Sequence, residues 1–321
     1  MKKIWSSLKP YLRWVILGGT LFFLVKAFKD NWREVAAIQI TGNGWTCLAI
    51  AFLITLLAHT WSGWVWSWIL QSFRQPVQPR WVIQVYLKTN LAKYLPGNVW
   101  HYYGRIVAVT SHGGSLGAAT LSVVLEPLLM VAAALLIALI GSQAQNWGLQ
   151  VLSLAVVLLG VHPRILNPLM QLASKLKGKR KIEQPTSPQA EEIGFPTPNQ
   201  ESPIQQKETS FRLERYPLLP LLGEIGFLLL RGTGFLFAMQ ALVAINSSQI
   251  PMLLSAFSLA WLLGLVVPGA PGGIGVFEAT ALALLRQQFS PAILISVVAL
   301  FRMVSILAEV AAAGLASLVK N

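Results

Sequence analysis

Two proline-glycine breaks interrupt apolar stretches that otherwise have the composition of helices. The first lies at Leu95-Pro96-Gly97-Asn98, and the second is the glycine-rich run from Val267 to Glu278. Proline and glycine disfavour a continuing helix, so each break frees backbone N–H and C=O groups. A hydrocarbon core cannot satisfy such groups, and broken backbone at that depth must be packed in protein or line a polar cavity. One break in each half of a membrane chain is typical of a site between two repeats.

Composition places the chain in a membrane. Hydrophobic residues make up 55% of the sequence and charged residues only 12%, whereas soluble domains carry roughly 25% charged residues. Several windows of about 20 mostly apolar residues are long enough to cross a hydrocarbon core of roughly 30 Å. The net charge of +13 does not indicate nucleic-acid binding, because the basic residues flank apolar segments, as cytoplasmic loops of membrane proteins do.

The fold class that we predict is an all-α polytopic bundle of about six full spans and two re-entrant helical hairpins. The hairpins occupy 81–116 and 251–286, which contain the breaks; the alternative for 251–286 is two complete crossings. The segment 45–140 would then be repeated upside down as 217–318, an inverted repeat. The predicted full spans are 11–28, 45–70, 118–140, 147–162, 217–245 and 291–318.

The chain divides into three predicted parts. Residues 1–163 form a first membrane half and residues 217–321 a second one. Between them, 164–216 begins as a basic amphipathic stretch and continues as a Pro-, Gln- and Glu-rich segment, which we expect to be a disordered cytoplasmic linker. Basic residues before the first span and after the second and fourth predict both termini in the cytoplasm, in the plasma membrane.

Five charges lie within the predicted spans 118–140, 217–245 and 291–318: Glu126, Glu224, Arg231, Arg302 and Glu309. Such residues are costly in a bilayer and face a bundle interior or a watery cavity. The two seven-residue pairs, 224/231 and 302/309, are separated by roughly 10 Å along a helix, so each charge needs a partner on another helix or on a ligand. Glu126 and Arg302 occupy matching places after the two breaks, which allows a pair across the repeat interface. Structural ion pairing is the alternative role for all five.

The breaks carry their own candidate binding groups. Lys93 and Arg105 flank the first break, where cations and helix amino ends favour an anionic headgroup; simple anchoring at the cytoplasmic surface is the alternative. Arg302 is the best phosphate-binding candidate, since a guanidinium binds phosphate bidentately. Glu278 follows the second break, where helix capping competes with proton or cation binding. Backbone expected to shape the cavity or act as hinges comprises Pro96, Gly97, Pro268, Gly269, Pro271, Gly272, Gly273 and Gly275.

Motifs of soluble catalysis are not found in the sequence. It contains no Walker loop, no dinucleotide fingerprint and no Gly-x-Ser-x-Gly elbow. His101 and His112 are eleven residues apart without an acidic ligand between them, which does not fit a metal site. We therefore expect neither a cofactor nor a metal, and no enzyme activity.

The breaks carry a family resemblance. Lys93-x-x-Pro96-Gly97-Asn98 with Arg105 downstream, the run from Pro268 to Glu278, and the charges Glu126 and Arg302 resemble the transmembrane, flippase-type domain of the lysylphosphatidylglycerol synthase/flippase family. The similarity spans about residues 10–318. Glu126-Pro127 departs from the Glu-Arg common in the family. The family's soluble aminoacyl-transfer domain has no counterpart, so lysine transfer is not expected from this polypeptide.

The resemblance implies lipid handling. The expected function is that of a lipid flippase or transporter, which moves an anionic or lipid-linked headgroup between leaflets. Two alternatives stay open: a membrane-embedded glycosyl- or headgroup transferase, and a non-transporting scaffold for a lipid-synthesis enzyme. The expected partner is a membrane lipid with an anionic headgroup. The candidate substrate-binding residues are Lys93, Arg105, Arg302, Glu126 and Glu278.

Overall fold

The computed structural model describes residues 25–26, 29–95, 99–141, 147–165, 167–168, 213, 215–267 and 271–319. Several predictions therefore lie outside the described residues. They are most of the span 11–28, most of the linker 164–216, and the break residues Pro96, Gly97, Pro268 and Gly269.

The described residues include ten α-helices whose bounds are given below, and they contain no strands. Short 3-10 turns at Leu91–Tyr94 and Pro271–Gly273 stand at the two breaks, and a third lies at Ser247–Gln249. The helices are α1 Trp32–Ala37, α2 Gly42–Ser72, α3 Pro79–Asn90, α4 Trp100–Ser111, α5 Leu116–Gly141, α6 Trp147–Gly160, α7 Leu218–Gln240, α8 Ile250–Val266, α9 Val276–Leu285 and α10 Pro291–Leu318.

Helix starts follow local chemistry. Thr41 precedes α2, and its hydroxyl accepts a hydrogen bond from the Gly44 N–H at 3.2 Å. Ser290 caps α10 in the same way through the Ile293 N–H, and Pro291 begins that helix. Side-chain caps satisfy donors that a first turn leaves unbonded, and proline loses nothing at the first helical position.

Five segments are long and apolar enough to cross a membrane, which confirms a polytopic helical bundle. Four of them match predicted full spans: α2, α5, α7 and α10. The fifth, Ser247–Val266, is the first arm of the predicted second hairpin. The predicted span 147–162 appears as α6, whose 14 residues measure roughly 21 Å. The total number of crossings stays a prediction.

The two predicted hairpins differ in their arms. In the first, α3 and α4 have 12 residues each, roughly 18 Å and too short to cross the core alone. In the second, a first arm of 20 residues is long enough to cross, whereas α9 has 10 residues. Re-entrant insertion of either hairpin, and the inverted repeat, stay predictions.

The two membrane halves interlock rather than stand apart. Helix α2 packs against α7 and α10, and α5 packs against α8 and α7. Small residues permit these contacts: a Cβ on Gly234 of α7 would lie 2.9 Å from the Thr55 Oγ1 of α2. At the centre, four phenylalanine rings lie with centroids 5.5–6.3 Å apart; they are Phe235, Phe257, Phe277 and Phe301.

Candidate functional site

The short turns beside the two breaks meet inside the bundle. The turn Leu91–Tyr94 contacts the turn Pro271–Gly273, and α10 packs against the first of them. A Cβ on Gly272 would lie 2.8 Å from the Cε1 of Tyr94. The interruptions, far apart in sequence, are therefore built into one site.

Glycine is required at the second break. Gly272, Gly273 and Gly275 have φ of 59°, 71° and 89°, a region that side-chain-bearing residues rarely adopt. A Cβ on Gly273 would also lie 3.1 Å from the Cα of Gly264 in α8. The break is thus pressed against the preceding helix as well as turned sharply.

Arg302 satisfies the carbonyls that this break frees. From α10, its Nη1 donates to the Gly272 oxygen and its Nη2 to the Gly273 oxygen, both at 3.0 Å. Its Nε donates to the Glu278 carboxylate. The other oxygen of Glu278 accepts from the Gly275 N–H at 2.6 Å and so caps α9. Broken backbone is therefore packed in protein here, as a bilayer demands.

Lys93, in the turn before the first break, also contacts α10. Its Nζ donates to the Oε1 of Glu309 in α10 at 2.6 Å. The Nε2 of His59 in α2 lies 3.2 Å from that oxygen. Glu309 and His59 are both buried, whereas the Lys93 side chain is 20% exposed. A turn and two long helices are thus joined at one carboxylate.

Arg231 of α7 has no such carboxylate bond. Its Nη1 donates to the hydroxyl of Ser305 at 3.1 Å, and its guanidinium carbon lies 4.9 Å from the centroid of the Phe301 ring. Its buried Nε has no hydrogen-bond partner among the described residues. The guanidinium therefore keeps donor capacity for a ligand.

A cavity of about 120 Å³ lies where the turns meet, ample for ordered water. Its charged lining residues are Lys93, Arg231, Arg302 and Glu309, which we call the cavity cluster. Among the described residues, three cations thus line the cavity with one carboxylate. The remaining lining residues are Tyr94, His101, Tyr102, Trp261, Gly264, Leu265, Gly272, Gly273, Phe277, Phe301 and Ser305.

Arg105 and Glu126 lie elsewhere, in a group with Tyr86 that we call the sealed cluster. The Nη1 of Arg105 donates to the Oε2 of Glu126 at 2.7 Å, and the Tyr86 hydroxyl donates to its Oε1 at 2.8 Å. The guanidinium carbon lies 3.7 Å from the centroid of the Tyr86 ring. All three residues are buried, and none of them lines the cavity.

The expected pair between Glu126 and Arg302 does not form. Glu126 bonds to Arg105, and Arg302 bonds to Glu278. The physical reason is packing: α4 lies against α5, and α9 against α10. Each charge therefore meets its partner on the adjacent helix of its own membrane half.

The structure brings Lys93 and Arg302 into one cavity, with Glu278 bonded behind Arg302, and places Arg105 and Glu126 apart from it. The sequence identifies Arg231 and Glu309 only as charges in apolar spans. In the structure they line the cavity together with Lys93 and Arg302. Their signal was the cost of an intramembrane charge. His59 gave no signal, since a lone histidine in an apolar span is usually a packed one.

Within the described ranges, no group of three or more His, Cys, Asp or Glu side chains is arranged to hold a metal ion. The arrangement instead offers cationic donors and aromatic walls around a small cavity. Such a space suits an anion.

Sequence comparison agrees with the architecture. A family model described as the lysylphosphatidylglycerol synthase TM region matches residues 12–313, nearly the whole chain. No curated protein gives a significant match. The motifs that carry the resemblance lie within this match. The chain therefore belongs to the lysylphosphatidylglycerol synthase transmembrane-region family.

Proposed function

We propose that this integral membrane protein is a lipid flippase or transporter, which moves a lipid with an anionic headgroup between leaflets. The observation that carries the proposal is the cavity between the two breaks, where Lys93, Arg231 and Arg302 converge. The headgroup would enter this cavity while the acyl chains stay in apolar surroundings. Basic flanking segments support a plasma-membrane location with both termini in the cytoplasm.

The charge balance of the cavity favours an anion. Glu309 compensates Lys93, and Glu278 compensates Arg302. Arg231 is bonded only to the neutral hydroxyl of Ser305 among its described hydrogen bonds. A cation without a directly bonded counter-charge is costly inside a membrane, and a phosphate would supply that charge with bidentate hydrogen bonds.

The groups around the cavity would take different roles. Arg231 would bind the headgroup phosphate directly, and Lys93, which is partly exposed, would exchange between Glu309 and the ligand. Arg302 would keep the second break in shape through its two carbonyl bonds while presenting positive charge to the cavity. Arg105 and Glu126 would hold α4 against α5 from the sealed cluster.

Movement of a headgroup across the membrane requires the cavity to open to each side in turn. The turns at Leu91–Tyr94 and Pro271–Gly273 contact each other beside the cavity. We take them as the two gates of an inverted repeat, each able to withdraw while the other stays packed. The 3-10 turns and glycines at these positions are compatible with such local rearrangement.

A proteoliposome assay tests the proposal. Purified protein is placed in vesicles of phosphatidylcholine and phosphatidylglycerol with a trace of labelled phosphatidylglycerol, and leaflet accessibility of the label is followed over time. We expect faster transbilayer movement with the protein than without it, and its loss in Arg231→Gln and Lys93→Met. Lys88→Met and Arg286→Gln are the controls, since both residues are exposed and outside the cavity.

The same assay separates the alternatives. Unchanged movement in both cavity variants would contradict the assigned site. A chemically altered lipid, detected by mass spectrometry, would favour a membrane-embedded transferase. A protein that neither moves nor alters lipid, for phosphatidylglycerol and for lipid-linked anions alike, would favour a scaffold.

A further inference from the structure

We infer that one acyl chain of the bound lipid occupies a lateral apolar groove that opens beside the cavity, so that the ligand is held by both headgroup and tail. This inference rests on the proposed function and specifies its substrate class. The groove has a volume of about 650 Å³ and lies between α4, α5 and the end of α8. Its size is within the roughly 300–1,000 Å³ of ligand sites.

The walls of the groove suit hydrocarbon. Ile106, Val123, Leu128 and Val131 supply aliphatic side chains from α4 and α5. From Thr120 to Val131 the lining residues extend over roughly 16 Å of helix axis. The groove is therefore an elongated apolar trough beside a spanning helix.

The open side of the groove faces the surface of the bundle. Val124 is 48% exposed, and Val266, at the end of α8, is 57% exposed. Both helices are long and apolar enough to span a membrane, so we expect this surface to face lipid. A tail can enter from the bilayer without crossing water.

The position of the groove next to the cavity indicates its occupant. Tyr102 and Leu265 line both the groove and the cavity. The ring of Tyr102 lies tilted against that of His101, with centroids 3.8 Å apart, and His101 also lines the cavity. One molecule that occupied both the cavity and the groove, past Tyr102 and Leu265, would need a charged end and an apolar end. A phospholipid has that form, whereas a water-soluble anion would use the cavity alone.

Pro127 strengthens the assignment of this wall as a groove. It lies inside α5 and lines the groove. A proline in a helix interior removes one backbone hydrogen bond and bends the helix. The chain thus places a helix-bending residue at the point where a tail would need room between α5 and α4.

Photolabelling tests the inference. The full chain is placed in phosphatidylcholine vesicles with a trace of phosphatidylglycerol that carries a diazirine in one acyl chain, and labelled residues are located by mass spectrometry after irradiation. We expect label concentrated on groove residues of α4 and α5, and a reduction of at least threefold when excess unlabelled phosphatidylglycerol is added. Soluble glycerol phosphate at the same concentration should displace less.

A bulky variant sharpens the test. Val124→Trp should lower groove labelling at least fivefold and slow transbilayer movement, whereas Val310→Trp, at a residue 53% exposed on α10, should change neither. The wild-type label distribution decides the matter even if Val124→Trp does not fold. Label spread evenly over the exposed helices, without competition, would overturn the inference.

The outcomes for the groove and for the proposed function are distinct. Transbilayer movement with evenly spread label would leave the transporter standing and remove the groove. Competed groove label without transbilayer movement would leave a lipid-binding groove and remove the transporter.

Discussion

The sealed cluster and the cavity cluster contain similar charged residues in different surroundings. In the sealed cluster, Arg105 has one carboxylate partner and an aromatic face, and none of the cluster's residues lines the cavity. In the cavity cluster, three cations line one cavity with one carboxylate. An intramembrane charge therefore does not by itself mark a ligand site. What distinguishes the cavity cluster is that its residues line a cavity and that one of its cations, Arg231, has no hydrogen bond to a carboxylate among the described residues.

The sequence positions of the charges do not show which ion pair borders the cavity. Arg105 and Glu278 each lie in the short helix after a break, while Glu126 and Arg302 each lie in the long helix that follows. The two ion pairs thus have matching places with opposite polarity. Only the second pair borders the cavity, because its arginine also binds the carbonyls of the break.

The largest expected effect comes from breaking the sealed cluster. Glu126→Gln leaves Arg105 as a buried, uncompensated cation, which should lower the free energy of unfolding by about 3–5 kcal/mol. Denaturant titration in detergent measures it, with Glu34→Gln at an exposed position as the control. A stable Glu126→Gln protein without transport would contradict the division, since the sealed cluster would then handle substrate.

The second effect is functional rather than structural. Arg231→Gln removes a charge-assisted bond to the headgroup worth about 1.5–3 kcal/mol, so transport should slow about 10–100-fold. The free energy of unfolding should change little, since the variant also removes a cation with incomplete bonding. Transport rate and denaturant titration are compared with those of Arg286→Gln. A large loss of stability would move Arg231 into the same class as Arg105.

A third effect tests the shape of the second break. Gly273→Ala should lower the free energy of unfolding by about 1–2 kcal/mol, the cost of a left-handed backbone for alanine. It should also slow transport, because the added methyl meets Gly264 and displaces a carbonyl that Arg302 binds. Gly314→Ala is the control, since apart from its chain neighbours and its own helix backbone no described atom lies within 4 Å of the added Cβ. Full activity of Gly273→Ala would show that this close approach is dispensable.

The smallest effect tests a hydrogen bond that joins α2 to α7 outside both clusters. The Nε1 of Trp61 in α2 donates to the Gly223 oxygen in α7 at 2.8 Å. Trp61→Phe should cost about 0.5–1.5 kcal/mol of unfolding free energy and leave the transport rate per folded molecule unchanged. Trp64→Phe, at a residue 48% exposed, should change neither quantity. A transport defect in Trp61→Phe would mean that the α2–α7 contact takes part in the movement.

The long helices were predictable because hydropathy over about 20 residues reports directly on spanning segments. The predicted spans 45–70 and 118–140 correspond to α2 and α5 within two or three residues at each end. The membrane topology of Ser247–Val266 is not predictable in the same way, since a break at its end fits a re-entrant arm and a full crossing equally well.

The partners of the charges could be predicted only in part. Seven-residue spacing correctly excluded bonds within each helix, but it did not select a partner on another helix. Lys93 meets Glu309 across 216 residues of sequence, a pairing that depends on how α10 packs against the first break. The role of Arg231 likewise depends on the cavity, which is a property of the packed bundle.

The most direct test of the central claim is the reactivity of one cysteine at Leu265, which lines the cavity and the groove. The chain has one native cysteine, Cys47, so Leu265→Cys is made in a Cys47→Ser background and treated with an uncharged, water-soluble maleimide. We predict modification in phosphatidylcholine vesicles and slower modification when phosphatidylglycerol is included, with Leu315→Cys insensitive to the lipid. A cysteine at 265 that is unreactive, or that reacts equally fast in both lipids, would contradict a water-filled cavity that receives an anionic headgroup.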